Sequence, residues 1–273
     1  MRVCSAAGST TPPGTVPLGR VGILETDYEP SFRVGFNVAL NCDSSVRVTY
    51  TQFQTRTNDD LSVPAPFVIQ PLVMFPRTFN AGFTAQVASA ASSLEMSTID
   101  LDYRGMLFSG QCYHVNGVIG ARYAELDQSF NSIYFFAPPD GTTLVASELD
   151  FAGGGIRTGL EGEYFLARQF GIAGYSKAMA SLLGGQFRGR YLQANQFNGV
   201  EAATTWEDSR LVPTAELECG LTWVNRRNNF RLSAGYYFGC WANVVTTSEW
   251  INGVQGLNFF DISQDRFDTI RFD

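Results

Sequence analysis

Apolar and polar residues alternate singly over much of this chain. In 214–223, Ala215, Leu217, Cys219, Leu221 and Trp223 oppose Thr214, Glu216, Glu218, Gly220 and Thr222. In 229–240, Phe230, Leu232, Ala234, Tyr236, Phe238 and Cys240 oppose Asn229, Arg231, Ser233, Gly235, Tyr237 and Gly239. Successive side chains of a strand point to opposite faces, so a period of two predicts a hairpin here, joined by "NRRN" at 225–228. The same parity sets Phe32, Val34, Phe36, Val38 and Leu40 against Arg33, Gly35, Asn37 and Ala39. It also sets Ile99, Leu101, Tyr103 and Leu107 against Asp100, Asp102 and Arg104, and Ile156, Leu160 and Tyr164 against Arg157, Gly159, Glu161 and Glu163. Residues 183–191 place Leu183, Phe187 and Tyr191 opposite Gln186, Arg188 and Arg190, and 46–53 and 115–126 are weaker matches.

A soluble sandwich writes the same alternation with its apolar face turned inward. Two details favour a membrane instead. The polar faces carry Gly beside Arg, Asp or Glu, as a crowded lumen would, and aromatics gather near run ends, where interfacial girdles sit. Connections alternate in length: short at "NCDS" (41–44) and "NRRN", long and polar at 57–95, 127–152, 193–208 and 246–265. Short turns on one rim and long loops on the other is the outer-membrane pattern. The expectation is an all-β fold: an antiparallel transmembrane β-barrel of about ten strands when complete, eight or nine of them present. It spans 31–273 after an irregular segment at 1–30, with a signal peptide and first strand expected upstream and a last strand, "DRFDTIRF" at 265–272, left incomplete.

Composition narrows the classes. Charged residues are only 16% against roughly a quarter in an average soluble domain, while aromatics reach 14%, which suits such a sheet. A net charge of −7 with scattered arginines argues against a nucleic-acid partner. The longest apolar stretch, "APFVIQPLVMF" at 65–75, is interrupted by Gln70 and Pro71, so no transmembrane helix is expected. Five cysteines at irregular spacing contain no CxxC pair, so no metal site is expected.

The charged residues opposite the apolar parity are the candidate lumen lining: Arg33, Arg47, Asp100, Asp102, Arg104, Arg122 and Arg157, with Glu161, Glu163, Arg188, Arg190, Glu216, Glu218 and Arg231. They can form a constriction that selects solutes, or a salt-bridge lattice that fills a narrow bore. Enzyme readings are weak. Glu161 with Glu163 and Glu216 with Glu218 share a face at about 7 Å, within reach of a glycosidase pair, but every strand here presents polar residues that way. Gly153 to Gly155 lack the Lys and Ser/Thr of a phosphate loop. His114 is the only histidine, and nothing marks a partner serine. Cys219 and Cys240 read as small hydrophobes, and Cys42 and Cys112 fall in turns. No catalytic residue, cofactor or metal is expected.

Four stretches carry a more specific likeness: "GVIGARYAELDQSF" at 117–130, "FAGGGIRTGLEGEYFL" at 151–166, "WEDSRLVPTAELECGLTW" at 206–223 and "LSAGYYFGCWANVVTTSEWIN" at 232–252. They resemble the Legionella major outer membrane protein family, including its planctomycete-type relatives, over roughly residues 20–272. The resemblance implies an exported, pore-forming β-barrel of the bacterial outer membrane. Its relatives carry a signal peptide, an early aromatic strand and a complete last strand. The function expected on this basis is a porin-like channel for passive diffusion of small solutes or ions, with the lipid bilayer as the other partner. The alternatives are a non-conducting structural or adhesive barrel acting through loops at 57–95, 127–152 and 246–265, and a barrel-embedded hydrolase.

Overall fold

The alternating runs do form strands, and the strands are much longer than the runs. The computed structural model describes residues 3–7, 21–22, 31–41, 43–64, 67–136, 141–167, 171–225, 231–257 and 269–272. In chain order these give β1 (Val3–Ala7), β2 (Val21–Gly22), β3 (Phe32–Ala39), β4 (Ser44–Ser62), β5 (Phe67–Gln70), β6 (Ala85–Ser109) and β7 (Tyr113–Phe136). There follow β8 (Thr142–Ala167), β9 (Ile172–Asn195), β10 (Gly199–Val224), β11 (Arg231–Ala242), helix α1 (Thr247–Gly256) and β12 (Thr269–Phe272). Strands β6 to β10 each run for 24 to 26 residues.

The stretches 127–152 and 193–208, expected as long loops, are therefore mostly strand, and 246–265 contains α1. The cause lies in the phase of the alternation. On β7 the exposed face runs Tyr113, Ile119, Ala121 and Tyr123, then continues as Glu125, Asp127 and Asn131. The opposite face carries Arg122 and then Leu126, Phe130, Tyr134 and Phe136. The strand keeps its pleat while the apolar residues change sides. Strand β8 does the same, with Ile156 and Leu160 exposed at one end and Glu148 and Asp150 at the other. The face bearing Arg122 and Leu126 is the inner face below, and the ends nearest Tyr113 and Phe136 are the proximal and distal ends.

All pairings are antiparallel, and they run β12-β11-β10-β9-β8-β7-β6-β5-β1-β2, with β4 also on β6 and β3 on β4. This corrects the expected transmembrane barrel. Among the described residues the ladder is open: β3 pairs only with β4, and nothing joins it to β11 or β12. Alternation reports which face of a strand is greasy. Closure is a pairing between the first and last strands, and it leaves no trace in that period.

The core fills the distal inner face. Leu126, Phe130, Leu149, Phe151, Leu183 and Phe187 are buried together with Trp241, Val245, Trp250, Ile251 and Val254. Helix α1 lies inside this surface, with Trp250 stacked on Trp206 at 5.7 Å between ring centroids. Gly189 makes room for it, since a Cβ there would stand 2.9 Å from the indole. The segment before β6 is drawn in as well: the Tyr191 hydroxyl donates to the Val73 carbonyl at 2.9 Å, and Gln255 donates to the Met74 carbonyl at 3.0 Å.

Candidate functional site

The proximal inner face holds a cluster of buried charge, built by cross-strand register. Asp100 on β6 stands opposite Arg122 on β7, and Asp102 opposite Arg47 on β4. Arg122 grips Asp100 with two hydrogen bonds, 2.6 and 2.9 Å, and also pairs with Glu216 on β10. Arg157 on β8 bonds Glu216 at 2.8 Å, Asp102 at 3.3 Å and also Asp100. Arg47 bonds Glu161 at 2.6 Å and Asp102 at 3.2 Å, and Arg104 bonds Glu161 at 2.7 Å. Four arginines thus meet four carboxylates in one connected network. Asp102 is fully buried, and Arg122 is 3% exposed.

Two sequence features permit this. Arginine presents a planar fork that can hold a carboxylate with two bonds. Gly120 lies between Asp102 and Arg157 in the same row, and a Cβ there would stand 2.6 Å from an Asp102 oxygen. The gap lets the Arg157 guanidinium cross β7.

A smaller set lies beside the network. Arg33 on β3 bonds Glu218 on β10 at 3.1 Å, Lys177 on β9 bonds the same carboxylate at 3.1 Å, and the Arg33 guanidinium sits 4.9 Å above the Tyr237 ring. Neighbouring strands lie about 4.8 Å apart, so six steps of a flat sheet would separate β3 from β10 by about 29 Å. The contact therefore makes this open sheet concave on its inner side. A cavity of about 260 Å³ remains there, lined by Arg33, Arg47, Lys177, Glu216, Glu218 and Tyr237 among others. His114 pairs separately with Glu163 at 3.1 Å.

Ten of the fourteen sequence candidates thus join the network or the Arg33 set, and Glu163 pairs with His114. Arg188 and Arg190 are corrected: they lie exposed on the opposite, outer face, because the parity of 183–191 belongs to the distal half where apolar residues point inward. Arg188 meets Glu207 there at 3.5 Å. Arg231 begins β11, and its side chain lies outside the described residues. Lys177 and Tyr237 were missed. Lys177 stands directly opposite both Glu161 and Glu218, but small neighbours blur the alternation of its run.

The distal outer face carries acids instead. Asp127 and Asp150 are cross-strand partners. Burial, and then the facing Asp150, raise the Asp127 carboxyl above its ordinary value, and burial with nearby Glu148 raises Asp150. Among the described residues no group of three or more His, Cys, Asp or Glu is placed to hold a metal ion.

This arrangement overturns the porin reading and the loop-acting barrel. Among the described residues the sheet does not close, the proximal inner face is cross-linked by ion pairs, and the distal inner face is filled by α1 and apolar side chains. The expected loop at 127–152 is largely ladder. The barrel-embedded hydrolase falls with the barrel, since among the described residues the sheet does not close. No helix among the described residues is long and apolar enough to cross a membrane.

A comparison with curated proteins finds no match. The model of a family described as Legionella pneumophila major outer membrane protein precursor matches residues 6–268, nearly the whole chain, so this protein belongs to that family.

Proposed function

We propose that, within the outer-membrane setting its family supplies, this chain is a lipid-contacting protein: its proximal outer face lies against acyl chains while ion pairs fasten its inner face. One observation carries this reading. From β3 to β11, the described proximal outer positions include Val34, Phe36, Leu101, Ile119, Ile156, Leu160, Leu182, Leu217, Leu221 and Leu232, all exposed, and no Asp, Glu, Lys or Arg. A contiguous apolar surface of this extent in water favours association, whereas hydrocarbon solvates it without penalty.

Tryptophan quenching tests the reading. Trp223 is on the exposed apolar face, and Trp241 and Trp250 are buried inside. In vesicles of brominated phospholipid, fluorescence is expected to fall, to lose most of that quenching in Trp223→Phe, and to regain it when Leu160→Trp is added. Quenching that is absent, or indifferent to both changes, would overturn lipid contact.

A further inference from the structure

Both faces of the sheet exchange polarity at one place. Tyr50, Ile99, Tyr123, Gly154, Gly184 and Leu211 form a single registered row across β4, β6, β7, β8, β9 and β10. Proximal to it the described outer positions are uncharged. Distal to it the outer face carries Glu95, Glu125, Asp127, Asp150, Arg188 and Glu207, each within four positions of its row residue. The inner face switches in the opposite sense, from Arg122, Arg157 and Asp102 to Leu126, Phe151 and Phe187. A strand in water must turn its apolar side inward, and a strand in hydrocarbon must turn it outward. Only a change of surroundings along the strands makes both faces switch together.

We infer that the boundary between hydrocarbon and water crosses the outer face at this row, and that the strands continue past it as a water-standing stalk. The stalk has its own core, completed by α1. The inference rests on the lipid contact proposed above and locates it.

On β7 the uncharged outer segment runs from Tyr123 to Tyr113. At about 3.3 Å per residue this segment lays a band of roughly 33 Å of uncharged surface against lipid along the strand. Aromatic residues mark both limits: Tyr50 and Tyr123 at the row, Tyr113, Tyr164 and Trp223 near the proximal turns. Lipid also fits better than a second copy of the chain. The uncharged outer surface occurs on every strand from β3 to β11 rather than on two or three neighbours, as a surrounding solvent requires.

Nitroxide scanning tests the boundary in the full chain, with its native cysteines replaced and the protein in phospholipid vesicles. Labels at Ile119, Ala121, Tyr123, Glu125 and Asp127 of β7, and independently at Leu160, Ile156, Gly154 and Asp150 of β8, all sit on exposed positions. Collision with oxygen is expected to dominate at 119, 121, 156 and 160, and collision with a water-soluble nickel chelate at 125, 127 and 150, with the reversal at 123 and 154. A reversal displaced by four residues or more on both strands would overturn the boundary while leaving lipid contact intact. Chelate dominance at every position would overturn both. Protection from both reagents with spin–spin broadening at 119 and 156 would assign the surface to a second copy and overturn the inference.

Discussion

Arg122 and Asp100 stand directly opposite each other on β7 and β6 and meet through two hydrogen bonds, Nε to Oδ1 at 2.6 Å and Nη2 to Oδ2 at 2.9 Å. Both are almost fully buried. Such a pair adds little net stability when intact, because desolvating two charges offsets most of their attraction, but removing one partner strands the other.

Arg122→Met is therefore expected to lower the free energy of unfolding by about 3–5 kcal/mol. Adding Asp100→Asn should recover part of that loss, since the two substitutions share partners and cannot act independently. Urea unfolding in detergent micelles, followed by tryptophan fluorescence, measures both. A single-variant loss below about 1 kcal/mol, the range of exposed pairs, would show that the network is solvated.

Gly189 is a packing requirement of α1. Gly189→Ala pushes a methyl group against the Trp250 indole, at 2.9 Å before relaxation. Overpacking of this kind costs about 1–3 kcal/mol, and it should disturb the near-ultraviolet dichroism of the stacked Trp206 and Trp250. Gly162, where nothing lies within 4 Å of an added Cβ, is the control. Gly162→Ala should shift stability by no more than about 0.5 kcal/mol.

The facing acids on the stalk predict a pH dependence. Burial and then the facing Asp150 raise Asp127 above the ordinary value of 3.8, and burial with nearby Glu148 raises Asp150, so the folded state holds these protons more tightly than the unfolded chain does. Their contribution is fully favourable below the ordinary value and is lost as pH rises through the raised folded values. Asp127→Asn should stabilise the protein at neutral pH and flatten the dependence just above the ordinary carboxylate range. Thermal unfolding from pH 4 to 7, to take an approximate span, provides the measurement. Equal slopes for the two proteins would exclude the effect.

Helix α1 is capped at its N-terminus by Thr246, whose hydroxyl accepts from the Glu249 backbone N–H at 3.3 Å. Thr246→Ala should cost about 1 kcal/mol. Amides 247–250 should exchange hydrogen faster while those of β7 and β8 do not. Uniform acceleration would mean that α1 opens only with the whole sheet.

Much of the proximal half was legible in the sequence, because there one parity is apolar and the other charged. Asp100, Asp102, Arg157 and Glu216 could be placed on one face from parity alone. Their choice of partner could not, since it depends on register between strands far apart in sequence, as Arg33 meeting Glu218 shows. The distal half was hidden by its own regularity. Where apolar residues pass from Tyr123 to Leu126, the parity shifts by one, and a shifted parity reads as the end of a strand. The same shift sent Arg188 and Arg190 to the wrong face. Sheet closure was inferred from the polar faces, the aromatic run ends and the alternating connection lengths, none of which reports whether the first strand pairs with the last.

Trp250 enters the distal core from the C-terminal side of β11, after every long strand has been made. The ion-paired half draws its residues from β4 to β10 alone, whereas the stalk core needs α1 against Phe187 and Gly189. A chain halted before residue 246 should keep its Arg122 contacts yet remain sensitive to protease between Leu126 and Leu149.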